Sequence, residues 1–157
     1  MNGHRVDLER LVQARVERVW EVLTDVAHAD QTLSGVEHVE LITEGPYRVG
    51  TRWRETRRMF GKEATEQMQV TVAEAPTRTV IEADSSGVHY VTEFTLTPSS
   101  ADATRLAMSF TAEQGQANLL HKALWRLFGR LGAKASEKVM AKDLQDIAAR
   151  AEVIGIV

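Results

Sequence analysis

The chain has 157 residues, 26% of them charged and 43% apolar, with no cysteine and a net charge of -3. That length fits one ordinary domain with a real hydrophobic core, and the composition is that of a soluble globular protein rather than a disordered or membrane-spanning one. The missing cysteines exclude disulfides, thiolate chemistry, iron-sulfur clusters and Cys-based zinc sites, and the mild negative charge gives no general attraction to a phosphate backbone.

The opening MNGHRVDLERL carries charge where a secretory signal would need an apolar core, so a cytoplasmic location is expected. No uninterrupted apolar run approaches the ~20 residues of a spanning helix, which argues against integral membrane association. Residues 6–12 loosely alternate and read as a strand; Val16, Val19, Trp20 and Leu23 then fall at helical spacing. VEHVELIT suits a second strand, closed by Gly45-Pro46.

Five further β segments follow, at residues 48–58, 63–74, 78–84, 88–97 and 103–113. They are separated by Phe60-Gly61-Lys62, Ala75-Pro76, Ser85-Ser86-Gly87 and a Pro98-Ser-Ser-Ala-Asp stretch, all ordinary turn chemistry. From Gln116 to about Arg150 the period changes, with Leu120, Leu124, Leu127, Leu131, Ala135 and Val139 tracing a helical stripe. Gly129 and Gly132 inside it make a bend or a close backbone approach an expectation. Loops this short join antiparallel neighbours, and the long helix alone has enough apolar surface to cover the sheet. The fold expected is therefore α+β, a curved antiparallel sheet wrapped around one C-terminal helix, in a single domain over residues 1–157.

Within that pattern, VQARVERVWEVLTD, with Ala14, Val19-Trp20, Leu23 and Asp25, resembles the opening of the START-like (SRPBCC) superfamily, which includes the polyketide cyclase/dehydrase proteins and the plant pollen allergens. GVEHVELI, VGTRWRE, EFTLTP and TRLAMSF stand in the order of that superfamily's second, third, sixth and seventh strands, and the resemblance spans roughly residues 5–150. It implies the helix-grip fold: seven antiparallel strands curled around the long helix, two short helices closing one end, and a cavity between. It also implies a hydrophobic ligand such as a lipid, polyketide or aromatic metabolite, with cyclisation or dehydration in some members. The superfamily shares no single set of catalytic residues, so none is transferred by position.

Alternation sorts the polar segment RWRETRRMFGKEATEQMQ. Val49, Thr51, Trp53, Glu55, Arg57 and Met59 share one face of their strand, and Arg52, Arg54 and Arg58 the other. The apolar members set the first face inward. On the next strand Ala64, Glu66, Met68, Val70 and Val72 point inward by the same rule. Later strands contribute Tyr90, Thr92, Phe94 and Leu96, and Leu106, Met108 and Phe110.

Three ionisable groups, Glu55, Arg57 and Glu66, thus fall on an apolar face, where a charge needs a partner or a shifted pKa. They stand either at the sheet's wet end or in a structural ion pair, or else Arg57, balanced by a carboxylate, orients the polar group of a ligand. The ligand-lining set expected is Trp53, Glu55, Arg57, Glu66, Met68, Tyr90, Thr92, Phe94, Met108 and Phe110, with Leu120, Leu124 and Phe128 from the helix.

Binding a hydrophobic or amphipathic small molecule is the leading function. A cyclase or dehydratase is the alternative, with Glu55 or Glu66 as general base and Arg57 or Tyr90 stabilising an enolate. A protein-interaction module with a filled interior is the third.

The histidines, His4, His28, His38, His89 and His121, form no metal-binding pair at helical spacing. His89 shares parity with the outward side chains. No G-x-S-x-G elbow and no phosphate-cradling glycine loop occur, so neither a metal nor another cofactor is expected, nor a nucleic-acid partner. Trp125 and the terminal AEVIGIV are open between internal packing and a homodimer contact.

Overall fold

The structure is a computed structural model that describes residues 3–59, 61–85, 87–114 and 119–153, with side chains over these ranges apart from 59, 114 and 119–133. Strand β1 (Gly3–Val12) is followed by helix α1 (Val16–Thr24), a 3-10 turn (Val26–His28), the one-turn helix α2 (Ala29–Thr32) and strand β2 (Val36–Leu41). Five strands then run consecutively: β3 (Arg52–Met59), β4 (Lys62–Glu74), β5 (Arg78–Ser85), β6 (Val88–Ser100) and β7 (Ala103–Gln114). Helix α3 (Leu119–Glu152) completes the fold.

The seven strands make one antiparallel sheet in the order β1-β7-β6-β5-β4-β3-β2, as the helix-grip arrangement requires. Two-residue loops join β3 to β4 and β5 to β6, and the second loop residue, Gly61 or Gly87, has φ near +80°, a conformation that costs glycine little. Helix α3 is helical throughout its 34 residues, about 51 Å at the standard rise, and runs on through Gly129 and Gly132.

Apolar spacing explains how the helices dock. Val19 and Val22 of α1 are buried, with Val16, Trp20 and Leu23 packed around them. Among the described side chains of α3 the buried apolar set is Met140, Leu144, Ile147, Ala148 and Ala151, which joins Val12, Val19, Val22, Phe94, Leu96, Leu106 and Met108 in one core. This corrects the expected stripe: Ala135 and Val139 are only half-buried, because the face that meets β1 and α1 is turned by one position.

A second correction concerns the start of β3. Val49 is 58% exposed rather than inward. A turn interrupts the alternation there, since Thr51 N donates to Arg48 O at 3.0 Å, Arg48 N donates to Thr51 Oγ1 at 2.9 Å, and Gly50 has φ +95°.

Polar anchors tie the helices to the sheet. Thr104 Oγ1 donates to Ala14 O at 2.8 Å, fixing the turn between β1 and α1. Asp146 of α3 accepts from Ser34 N at 2.9 Å and Ser34 Oγ at 2.8 Å, and from Lys142 Nζ at 2.8 Å. Glu152 Oε1 accepts from Gln13 N at 3.1 Å. Among the described residues, no helix is long and apolar enough to cross a membrane.

Candidate functional site

Register places the inward side chains in levels across the sheet. Glu55 stands opposite Glu66 at the first. Trp53, Met68, Ala83, Tyr90 and Ala112 form the second; Val70, Ile81, Thr92, Phe110 and Val6 the third. Thr79, Phe94, Met108 and Leu8 make the fourth, and Leu96 and Leu106 the fifth.

The fifth level is sealed: Leu96 is 1% exposed and Leu106 0%. At the upper levels Glu66, Met68, Tyr90, Thr92 and Phe110 stay half-exposed, while Trp53, Val70, Ala83 and Ala112 are buried. The Tyr90 and Phe110 rings stack with centroids 5.7 Å apart. One face of one sheet therefore grades from a polar, accessible end to a dry, packed one.

At the polar end Arg57 is held on three sides. Its Nε donates to Glu55 Oε2 at 2.7 Å, and Nη1 and Nη2 donate in a fork to Asp143 of α3 at 3.2 and 2.9 Å. Glu55 and Asp143 are each 6% exposed, and Trp53 Nε1 reaches Glu55 Oε1 at a long 3.4 Å. Burial opposes the guanidinium charge, but Asp143 and Glu55 outweigh it and hold Arg57 protonated beyond its ordinary range. Burial pushes the Asp143 carboxyl up, with Arg57 pulling it back down.

Two carboxylates thus share one guanidinium, and a third carboxyl lies beside them. Glu66 has no hydrogen-bond partner among the described residues. Its carboxyl is raised above the ordinary range, first by burial and then by the negative Glu55 opposite, with Arg57 as the weaker opposing influence. Burial, with Glu66 second, likewise raises the Tyr90 phenol and keeps it a proton donor.

The structure thus gathers Trp53, Glu55, Arg57, Glu66, Met68, Tyr90, Thr92, Phe94, Met108 and Phe110 on one face, with Phe94 and Met108 in its packed part. The side chains of Leu120, Leu124 and Phe128, with those of His121 and Trp125, lie outside the described residues, as do the last four of AEVIGIV.

Two residues were missed. Asp143 had a signal in the sequence, because it falls on the apolar stripe between Met140 and Ile147, where an acidic side chain requires a partner. Tyr47 had none, since it lies in a loop without periodicity. Its ring meets Trp20 edge-on at 6.2 Å, and its hydroxyl is 2.6 Å from Thr79 Oγ1. Thr79 Oγ1 already donates to Val72 O at 2.8 Å, so the Tyr47 hydroxyl is the donor to Thr79. Burial pushes the Tyr47 phenol up to about 12.

The outer face has a different character. A depression of about 310 Å³ lies there, with Arg5, Asp7, Glu9, Glu93, Thr95 and Ser109 in its lining. Its charges are paired: Arg5 with Asp7 at 2.9 Å, Arg78 with Glu93 at 2.7 Å, and Arg105 with Glu9. His89, on the same side, is held between Asp84 at 2.7 Å and Glu82 at 2.8 Å. Such self-satisfied surface polarity lacks the apolar area that retains a small molecule, so the inner face is the candidate site. Among the described residues no group of three His, Cys, Asp or Glu side chains is arranged to hold a metal ion.

A sheet gripping a long helix, with a graded inner face, defines a START-like helix-grip protein. The sequence profile of the family described as polyketide cyclase / dehydrase and lipid transport matches residues 3–152, and the chain belongs to that family. Solved structures share the fold. A protein of Thermus thermophilus is 21% identical with a TM-score of 0.78, covering 94% of this chain and 97% of its own. The Zhui aromatase/cyclase of a Streptomyces species is 20% identical with a TM-score of 0.80, over 96% and 94%. A START superfamily protein of Mycobacterium smegmatis is 14% identical with a TM-score of 0.76, over 95% and 97%. No curated protein matches the sequence.

Proposed function

We propose that the chain binds an amphipathic small molecule against the upper levels of the inner sheet face. Its apolar body would lie on Met68, Tyr90, Thr92 and Phe110, with its polar group directed toward Glu66. The observation that carries this reading is the gradient: these side chains stay half-exposed while Leu96 and Leu106, on the same face, are sealed. Apolar and aromatic surface left accessible beside a few convergent polar groups is the usual make-up of a small-molecule site. Membership in a family described by cyclase/dehydrase activity and lipid transport supports the same class of ligand.

Native mass spectrometry before and after organic extraction tests the reading. A discrete extractable mass supports it. A clean apo mass, with no uptake of a neutral apolar fluorophore, overturns it in favour of a protein-interaction role.

Glu66 favours a second reading, that of a cyclase or dehydratase. A carboxylate whose pKa is raised by burial and by a neighbouring carboxylate is a stronger base than an ordinary one, and Tyr90 offers a phenol to a developing oxyanion. Recovery of the extracted ligand minus one water after incubation with the native chain, and unchanged after incubation with Glu66→Gln, would establish it.

A further inference from the structure

Among the described residues, the polar end of the inner face has more carboxylates than cations. Arg57 is the guanidinium of that end, and its Nε and both terminal nitrogens already donate to Glu55 and Asp143. Both carboxylates are buried, and Arg57 between them is half-buried. A ligand carboxylate or phosphate seeking Arg57 would have to displace a bidentate, charge-assisted partner that is itself desolvated. It would also approach two carboxylates and, directly across the strand pair from Glu55, a third on Glu66.

Glu66 is in the opposite position. It is half-buried and has no hydrogen-bond partner among the described residues, and it can accept in either protonation state, through both oxygens when ionised and through the carbonyl oxygen when protonated. Among the described residues, nothing donates a hydrogen bond to it.

We propose that the ligand of this interior presents an N–H or O–H hydrogen-bond donor to Glu66, as a protonated amine or a hydroxyl, and that amphiphiles ending in a carboxylate or phosphate are excluded. The inference rests on the binding reading above and narrows it to one head-group chemistry. Burial and the negative Glu55 both raise the Glu66 carboxyl, and an ammonium or hydroxyl arriving there relieves the same stress.

The test is displacement of the neutral fluorophore N-phenylnaphthylamine by three amphiphiles with the same tail: dodecylamine, dodecanol and dodecanoate. In the native chain, dodecylamine and dodecanol are expected to displace the probe at concentrations about tenfold or more below dodecanoate, the size of one charge-assisted hydrogen bond against an unfavourable charge contact. If dodecylamine leads dodecanol, the head group is an ammonium; if the two are equal, it is a hydroxyl. Glu66→Gln should erase most of the lead of dodecylamine, whereas Glu17→Gln, which removes the same charge from the exposed side of α1, should leave it unchanged.

Dodecanoate binding as well as or better than the other two overturns the inference, and so does an amine lead that survives Glu66→Gln. In both cases the bound probe shows that the interior still takes apolar ligands, so the binding reading stands alone. Failure of the probe and of all three amphiphiles to bind overturns both. The native-chain comparison needs no variant to fold, and Glu66→Gln keeps the side chain's shape.

Discussion

The packed and accessible ends of the inner face are built from the same strands, yet they treat water oppositely. At the packed end Phe94, Leu96, Leu106 and Met108 meet Met140, Leu144 and Ile147, and apolar burial alone holds them together. At the accessible end an ion triad, Glu55–Arg57–Asp143, ties β3 to α3 while Met68, Tyr90, Thr92 and Phe110 keep contact with solvent. One end secures the helix by hydrophobicity. The other secures it by charge and leaves apolar surface for something else.

The largest effect should come from the triad. Arg57→Met leaves two buried carboxylates uncompensated and is expected to cost about 3–5 kcal/mol in chemical denaturation. Replacing all three members by apolar residues (Glu55→Leu, Arg57→Met, Asp143→Leu) should recover that loss or exceed native stability, since a buried ion network seldom outperforms good packing. If the triple variant were as unstable as Arg57→Met, the end would need its charges for more than mutual neutralisation.

Next comes the contrast between levels. Leu106→Ala at the packed end should cost about 2–5 kcal/mol. Phe110→Ala, half-exposed, should cost clearly less by the same measurement while weakening uptake of an apolar fluorophore. Equal costs would erase the distinction between the two ends.

Smaller is Tyr47→Phe, which removes the hydroxyl donor to Thr79 at a cost of about 1 kcal/mol. In an alkaline absorbance titration it should also abolish the tyrosine ionisation near 12.

The smallest is Glu66→Gln, which should raise the melting temperature slightly at neutral pH. The folded carboxyl titrates above its unfolded value, so between the two the native state binds more protons and stability falls as pH rises. The gain from Gln is therefore complete above the folded value and absent below the ordinary carboxylate range.

The sheet and most of its inward face were legible in the sequence because alternation holds along most of each strand; on β4 a bulge after Val70 breaks it and sets Val72, expected inward, opposite the outward Val80. Trp53, Glu55, Arg57, Glu66 and Met68 stand on one face in the structure as period-two parity assigns them. Parity failed at Val49, where the turn at Arg48–Thr51 resets the phase, and no local propensity marks that reset. The partner of Arg57 was not found, because Asp143 comes from an element 86 residues away. Its placement on an apolar stripe was the available clue. Tyr47 lay beyond pattern reasoning altogether, since a loop side chain is positioned by what it meets, here Trp20 and Thr79.

The pairing of β1 with β7 has a kinetic consequence. Leu8 lies opposite Met108, so the first strand cannot join the sheet until the last has been made, and the contact closes a loop of about a hundred residues. The meander from β3 to β7 can assemble by neighbour-to-neighbour hairpins, each at small entropic cost. The sewing of β1 to β7 and the capture of Arg57 by Asp143 are instead late, non-local events. Variants in β1 or in the triad should accordingly change the unfolding rate more than the refolding rate, while those in the β5–β6 hairpin do the reverse.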